Sequence, residues 1–178
     1  MGTVQTFTTF DDFLNLPDPP SGHLELHHGE IVHMPPPKRG HQRIQRRILA
    51  LLIECAGKEG VAETEMAFRP TPGNEVWVAD IGFVNSNRDQ NTADDEYLMG
   101  APDLVIEVLS PSNTVDEIND KMDICMANGC LSFWVVDPKR RLVSITEGDV
   151  TRQYRSSASI PLPEPLEGTI PVASLFDL

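Results

Sequence analysis

Two carboxylates stand where an apolar strand would ordinarily exclude them. The segments Val76–Val84 (VWVADIGFV) and Leu104–Leu109 (LVIEVL) are almost wholly apolar, apart from Asp80 in the first and Glu107 in the second. An ionised carboxylate among such neighbours is costly unless it is paired or coordinated. Alternation along a strand puts Asp80 on a face with Val78 and Gly82, and Glu107 on a face with Val105 and Leu109. If the two strands are neighbours, the acids approach across a strand spacing of about 4.8 Å. A bound Mg2+ then satisfies both. Asp103 shares a face with Glu107 but lies about 13 Å along the strand, too far for both to ligate one ion. It reads as a strand-entry or supporting residue, ranked behind Asp80.

Lys121 is the third residue out of place. It lies between Ile118 and Cys125 at three- and four-residue spacing, against the apolar stripe of its helix. Either its stem covers core while the amine reaches water, or the amine points into the carboxylate site. There it would orient a nucleophilic water or steady phosphate charge.

The elements that must position these residues follow from local signals. Thr9 caps a short helix through Asp11–Leu14, stopped by Pro17. His23–Met34 reads as a hairpin around Gly29, and Pro35, Pro36 and Pro37 form a stiff turn. From His41 to Ala56, Ile44, Ile48, Leu51, Leu52 and Cys55 follow helical spacing and Gly57 marks the stop. The opposite face carries Arg43, Arg46, Arg47 and Glu54, either as a solvated face or as phosphate contacts. The connection Asn85–Pro102 is long and polar. Thr114 and Glu117 make a capping box for a helix with Ile118, Met122 and Cys125 as its stripe and Gly129 at its end. Strands follow at Phe133–Val136 and Leu142–Thr146, with a turn at Gly148-Asp149. The proline-rich segment Pro161–Leu178 wraps the surface and docks through Val172, Leu175 and Phe176. Central strands apolar on both faces, alternating with helices, indicate an α/β domain covering residues 1–178.

Bulk properties narrow the function classes. The chain has 178 residues, 40% of them hydrophobic and 23% charged, which fits one globular domain rather than a disordered chain. No apolar stretch approaches the roughly 18 to 20 residues that span a bilayer. Met1–Phe10 lacks the basic start and apolar run of a secretory signal, so a cytoplasmic location is expected. Three cysteines, Cys55, Cys125 and Cys130, form no Cys-x-x-Cys and read as buried thiols. A net charge of −13 opposes indiscriminate coating of nucleic acid, yet Lys38, Arg39, His41, Arg43, Arg46 and Arg47 fall in one short stretch. A local basic patch on an acidic body is compatible with a nucleic-acid substrate.

These residues together form a pattern that resembles the Uma-Two family, endonucleases within the PD-(D/E)XK, restriction-endonuclease-like superfamily. The resemblance rests on Glu25-Leu-His-His-Gly29-Glu30-Ile, the three prolines followed by His41-Gln-Arg-Ile, and the strand of Asp80. It continues through Gly100-Ala-Pro-Asp103-Leu-Val-Ile-Glu107-Val-Leu-Ser110-Pro-Ser, then Lys121, then Phe133-Trp-Val-Val-Asp137-Pro. It implies a restriction-endonuclease-like α/β core with a central mixed sheet flanked by helices, of αβββαβ type, and a Mg2+-dependent phosphodiesterase site. Asp80 is then the motif aspartate and Glu107 the acid of the second motif. Leu109 occupies the usual lysine position, so Lys121 on the following helix supplies the amine. Glu30 and His41 correspond to additional polar positions near the site. The chain departs from the family's common pattern at His28, where an acid is usual, at Cys125, where tyrosine is usual, and at His23-Leu24, where an aromatic opens the hairpin.

The leading expectation is therefore Mg2+- or Mn2+-assisted hydrolysis of DNA phosphodiesters. Asp80 and Glu107 bind the metal, Lys121 serves as the third catalytic residue, and Arg43 and Arg46 meet phosphates. A homodimer is expected because cutting a duplex needs two sites. The rival is a nuclease-fold protein with little or no turnover, acting as a nucleic-acid-binding or regulatory module. A histidine metal site on His23, His27, His28 and His33 lacks the spacing of a closed zinc site. A serine or cysteine hydrolase finds no Gly-x-Ser-x-Gly, and Cys125 and Cys130 sit among apolar residues.

Overall fold

Where the chain carries strong local signals, its elements start and stop on them. The structure is a computed structural model and describes residues 7–111 and 113–177. Most of the expectation placed on Met1–Phe10, with Ser112 and Leu178, lies outside the described residues. Thr9 caps α1 (Phe10–Leu14) through a capping box with Asp12. In the hairpin of β1 (His23–His27) and β2 (Glu30–Met34), His27 pairs with Glu30. His28 and Gly29 make the turn, both at positive φ, as a tight two-residue loop demands. Next, α2 (Arg39–Ala56) buries Ile44, Gln45, Ile48, Leu52 and Ala56 and stops at Gly57. Fully buried Ile48 and Leu52 contribute roughly 1.5–3 kcal/mol each.

The main sheet follows. Its strands are β3 (Gly60–Arg69), β4 (Trp77–Asn85), β5 (Leu98–Met99), β6 (Leu104–Val108), β7 (Ser132–Asp137), β8 (Leu142–Glu147) and β9 (Val150–Arg155). Their spatial order is β5-β3-β4-β6-β7-β8-β9. The pairs β3/β5 and β6/β7 are parallel and the rest antiparallel, so the sheet is mixed. The short helix α3 (Ser86–Gln90) follows β4, and α4 (Val115–Ala127) links the parallel β6 and β7. A small pair, β10 (Ser159–Pro161) with β11 (Thr169–Pro171), leads into α5 (Val172–Phe176).

Alternation along β6 separates two core layers. Leu104, Ile106 and Val108 pack with Ile44, Ile48 and Leu52 of α2 and Leu175 and Phe176 of α5. Val105 packs with Cys125, Ile118 and Met122 of α4. Thus α2 and α5 cover one face and α4 the other. No helix among the described residues is long and apolar enough to cross a membrane.

Three features depart from the sequence expectations. The ten residues of β3 form a strand where none was assigned, because Glu63, Thr64 and Glu65 interrupt its apolar positions. The connection 85–102 is not structureless; it holds α3 and β5. The regular alternation assumed for β4 also fails at Asp80. Trp77 and Ala79 pack in the α4 layer, whereas Ile81 and Phe83, of the same parity, pack in the α2 layer. Across the ladder, Thr64 pairs with Ile81 and Met66 with Ala79, while Glu65 between them sits at φ 54. A non-glycine residue in the left-handed region inside a strand is a local distortion, and it lies level with Asp80. The face reversal there is why Asp80 does not share a face with Gly82.

Candidate active site

Asp80 and Glu107 meet at the point where β4 and β6 part. Ile81 pairs with Ile106, and continuing that antiparallel register puts Asp80 opposite Glu107. Beyond Ile81 the two carboxylates replace the backbone ladder. Val108 N donates to Asp80 Oδ2 at 2.7 Å, and Asp80 N donates to Glu107 Oε1 at 3.3 Å. Strand acids are tolerated here because each satisfies the other strand's amide.

Each face of the sheet supplies a second partner. From α2, His41 Nε2 lies 3.0 Å from Asp80 Oδ1, and Gln45 Nε2 donates to the same oxygen at 3.1 Å. From α4, Lys121 Nζ pairs with Glu107 Oε1 at 2.7 Å and donates to Val78 O at 2.5 Å. The Lys121 and Glu107 side chains are each 9% exposed, so the pair is nearly dry, whereas Asp80 at 22% is open to solvent. Burial and the Asp80 charge push Glu107 up to about 7, against the pull of the Lys121 ammonium. Burial lowers Lys121, but Glu107, Glu25 and Asp80 together hold it above its ordinary value, so the amine keeps its proton. His41 behaves alike: burial lowers it, and Asp80, Glu107 and Glu65 raise it on balance.

The other expected residues are distributed around this centre. Asp103 is at the far end of β6, where it accepts from Asn85 N (2.7 Å) and Nδ2 (2.9 Å) and pairs with Arg88 at 3.1 Å. It fastens strand entry and does not reach the carboxylate pair. Glu30 is exposed at the start of β2. Arg43 and Arg46 are exposed on α2, with Arg46 Nε donating to Gln42 O. The histidines make no metal cage. His23 and His27 both turn to Glu25, at 3.1 and 2.8 Å, while His33 donates to Ser21 O. Among the described residues, no three His, Cys, Asp or Glu side chains form a ready metal-binding group. Burial raises both inner thiols, Cys130 to about 12, and leaves them poor nucleophiles.

The family signature for "Putative restriction endonuclease", Uma2, matches residues 10–175. The chain belongs to the Uma2 family. A solved structure of "a putative nuclease belonging to DUF820" from Anabaena variabilis is 24% identical to this Uma2 chain. The match covers 94% of this chain and 97% of that one, with a TM-score of 0.79. At that identity the likeness establishes the shared fold, a restriction-endonuclease-like mixed sheet flanked by helices. No curated protein matches this chain.

Two polar residues of this Uma2 site escape a sequence reading centred on β4, β6 and α4. Glu25 is 2% exposed and accepts from Val78 N at 3.1 Å, next to the carbonyl that holds Lys121. Burial raises its pKa, but Lys121, His23 and His27 outweigh that and hold it well below the usual carboxylate range. Its signal is the acid at the centre of His-Leu-Glu-Leu-His, flanked two residues away on each side by a histidine. Gln45 follows His41 by one helical turn and falls within the buried stripe of α2, a polar residue on an apolar face.

Proposed function

We propose that this Uma2 protein is a metal-dependent endonuclease that hydrolyses DNA phosphodiesters, working as one domain in the cytoplasm and as a homodimer on duplex substrates. The observation that carries the proposal is the junction of β4 and β6, where Asp80 and Glu107 converge beside an ammonium held 2.7 Å away. The donor set fits a hard divalent cation. Both groups are carboxylates, and Glu107 Oε2 accepts no hydrogen bond from the described residues. Two carboxylates suffice for Mg2+ or Mn2+, which keeps several waters. Asp80 and Glu107 would hold such an ion, which would supply Lewis-acid polarisation of a phosphate oxygen and activation of water.

The protein's own groups do the rest. Lys121 keeps its proton and presents positive charge where phosphate charge builds up. Val78 O and Glu25 fix it from behind. His41 and Gln45 orient Asp80. Arg43 and Arg46, exposed on the same helix, meet the backbone of the substrate. Three reduced cysteines suit a cytoplasmic setting.

The test is nicking of supercoiled plasmid with Mg2+ or Mn2+, comparing wild type with Asp80→Asn, Glu107→Gln and Lys121→Met. Loss of about a hundredfold or more in all three is expected. One observation favours a second reading, a nucleic-acid-binding module without turnover: Lys121 already neutralises Glu107 from within. DNA binding by the wild type with no nicking in either metal selects that reading.

A further inference from the structure

We infer that the substrate backbone leaves the carboxylate site over a basic rim formed by the β7–β8 turn and the end of β9, with Lys139 and Arg155 contacting its phosphates. This rests on the nuclease reading above. Strands β6 and β7 are parallel and Glu107 is level with Val135, so the chain leaves β7 on the carboxylate end of the sheet. The turn there exposes Lys139, Arg140 and Arg141, and β9 ends beside it because Leu142 pairs with Arg155. Among the described residues two acids share this rim, and each is already occupied. Asp137 accepts from Arg140 N at 3.0 Å and pairs with its Nε at 3.7 Å; Asp177 pairs with Arg141 at 3.1 Å. Lys139 and Arg155 have no carboxylate partner among the described residues. The rim therefore keeps two uncompensated cations on a chain of net charge −13.

Position gives these cations a direction. The rim joins the arginine face of α2 through α5: Arg47 Nε donates to Ser174 O at 2.8 Å, and Arg141 lies 5.3 Å from the Phe176 ring. The opposite face carries Asp116, Glu117, Asp120 and Asp123 on α4 and repels a polyanion. Three strand spacings separate β6 from β9, about 14 Å. At 3.4 Å of duplex axis per phosphate in each strand, that is about four base pairs from the scissile bond.

The test is fluorescence anisotropy of a labelled DNA duplex of about 20 base pairs, several times the span of the rim, in metal-free buffer at several salt concentrations. Lys139→Glu and Arg155→Glu should each make the slope of log affinity against log salt shallower by about one, and together weaken binding about tenfold or more. Lys58→Glu is the matched control, an exposed cation at the opposite end of the sheet, between α2 and β3. It should change affinity by less than about twofold. All three positions are exposed, so thermal melts matching wild type separate lost contact from lost fold. Unchanged binding by the rim variants, or equal weakening by Lys58→Glu, overturns the rim while wild-type nicking leaves the nuclease reading intact. Failure of the wild type to bind DNA at any salt overturns the rim, and overturns the nuclease reading as well only if plasmid nicking with Mg2+ or Mn2+ is also absent.

Discussion

Helix α4 enters through the Thr114–Glu117 capping box, with Asp116 and Glu117 in its first turn. Helix α2 enters on Lys38, with no side-chain cap, no acid in its first turn and four arginines along its length. The first arrangement complements the helix dipole and satisfies orphan amides; the second opposes the dipole by about 0.3–1 kcal/mol for each charge at the helix start, Lys38 and Arg39. Yet both helices serve the same carboxylate pair, α4 through buried Lys121 and α2 through partly exposed His41. The helix that holds the dry side of the site is locally optimised. The helix on the open side gives up local stability and gains positive charge where a phosphate backbone would approach. The contrast is one of local stability: α4 is capped and complements its dipole, whereas α2 is uncapped and starts on positive charge.

The comparison breaks first at Lys121. Removing one member of a buried ion pair leaves the other uncompensated, typically at about 3–5 kcal/mol. Lys121→Met should therefore lower the unfolding free energy by that order in urea titration. His41→Ala, acting on a pair that water reaches, should cost about 1 kcal/mol. Equal losses for the two would mean that Asp80 is as dependent on α2 as Glu107 is on α4.

The caps sharpen the contrast. Thr114→Ala should destabilise by about 1 kcal/mol. Lys38→Asp should instead stabilise, by about 0.5–1 kcal/mol, since it adds a missing cap and removes an unfavourable charge. The same substitution should weaken DNA binding, measured by anisotropy at low salt. A gain in both stability and affinity would refute the division between the helices.

What was legible in the sequence followed from strong local chemistry. Acids inside apolar strands identified Asp80 and Glu107, and a lysine against an apolar stripe identified Lys121. Thr9, Thr114 and Gly57 marked helix boundaries. The missed parts depend on tertiary context. Strand β3 carries Glu63, Thr64 and Glu65, and Glu65 sits in the left-handed region between the pairs that Thr64 and Met66 make with β4. Glu25 reaches the site because its hairpin docks on β4, where Leu26 and Val76 exchange backbone bonds at 2.8 Å. No spacing within residues 23–34 encodes that contact. Asp103, read from its spacing as a strand-entry residue, meets Asn85 and Arg88 at the other end of the strand from Glu107.

The smallest effect concerns the second histidine–aspartate contact, the one that ties the β1–β2 hairpin to α4. His28 Nε2 lies 3.2 Å from Asp120 and Nδ1 2.9 Å from Glu75. Burial lowers its pKa, but the Asp120 hydrogen bond and the Glu75 and Asp120 charges raise it on balance. A histidine raised in the folded state stabilises fully below its unfolded pKa, about 6.5, and the contribution disappears as pH rises through the folded value. The His28 side chain is 56% exposed, so screening keeps the gain small. Wild type should thus lose a little stability relative to His28→Ala as pH rises from about 6 to 8, the interval that spans ordinary histidine titration. Thermal melts of the two proteins across that interval at low salt measure it. A difference independent of pH would mean that His28 holds the hairpin to α4 by packing against Trp77, whose ring centre is 6.0 Å away, and not by charge.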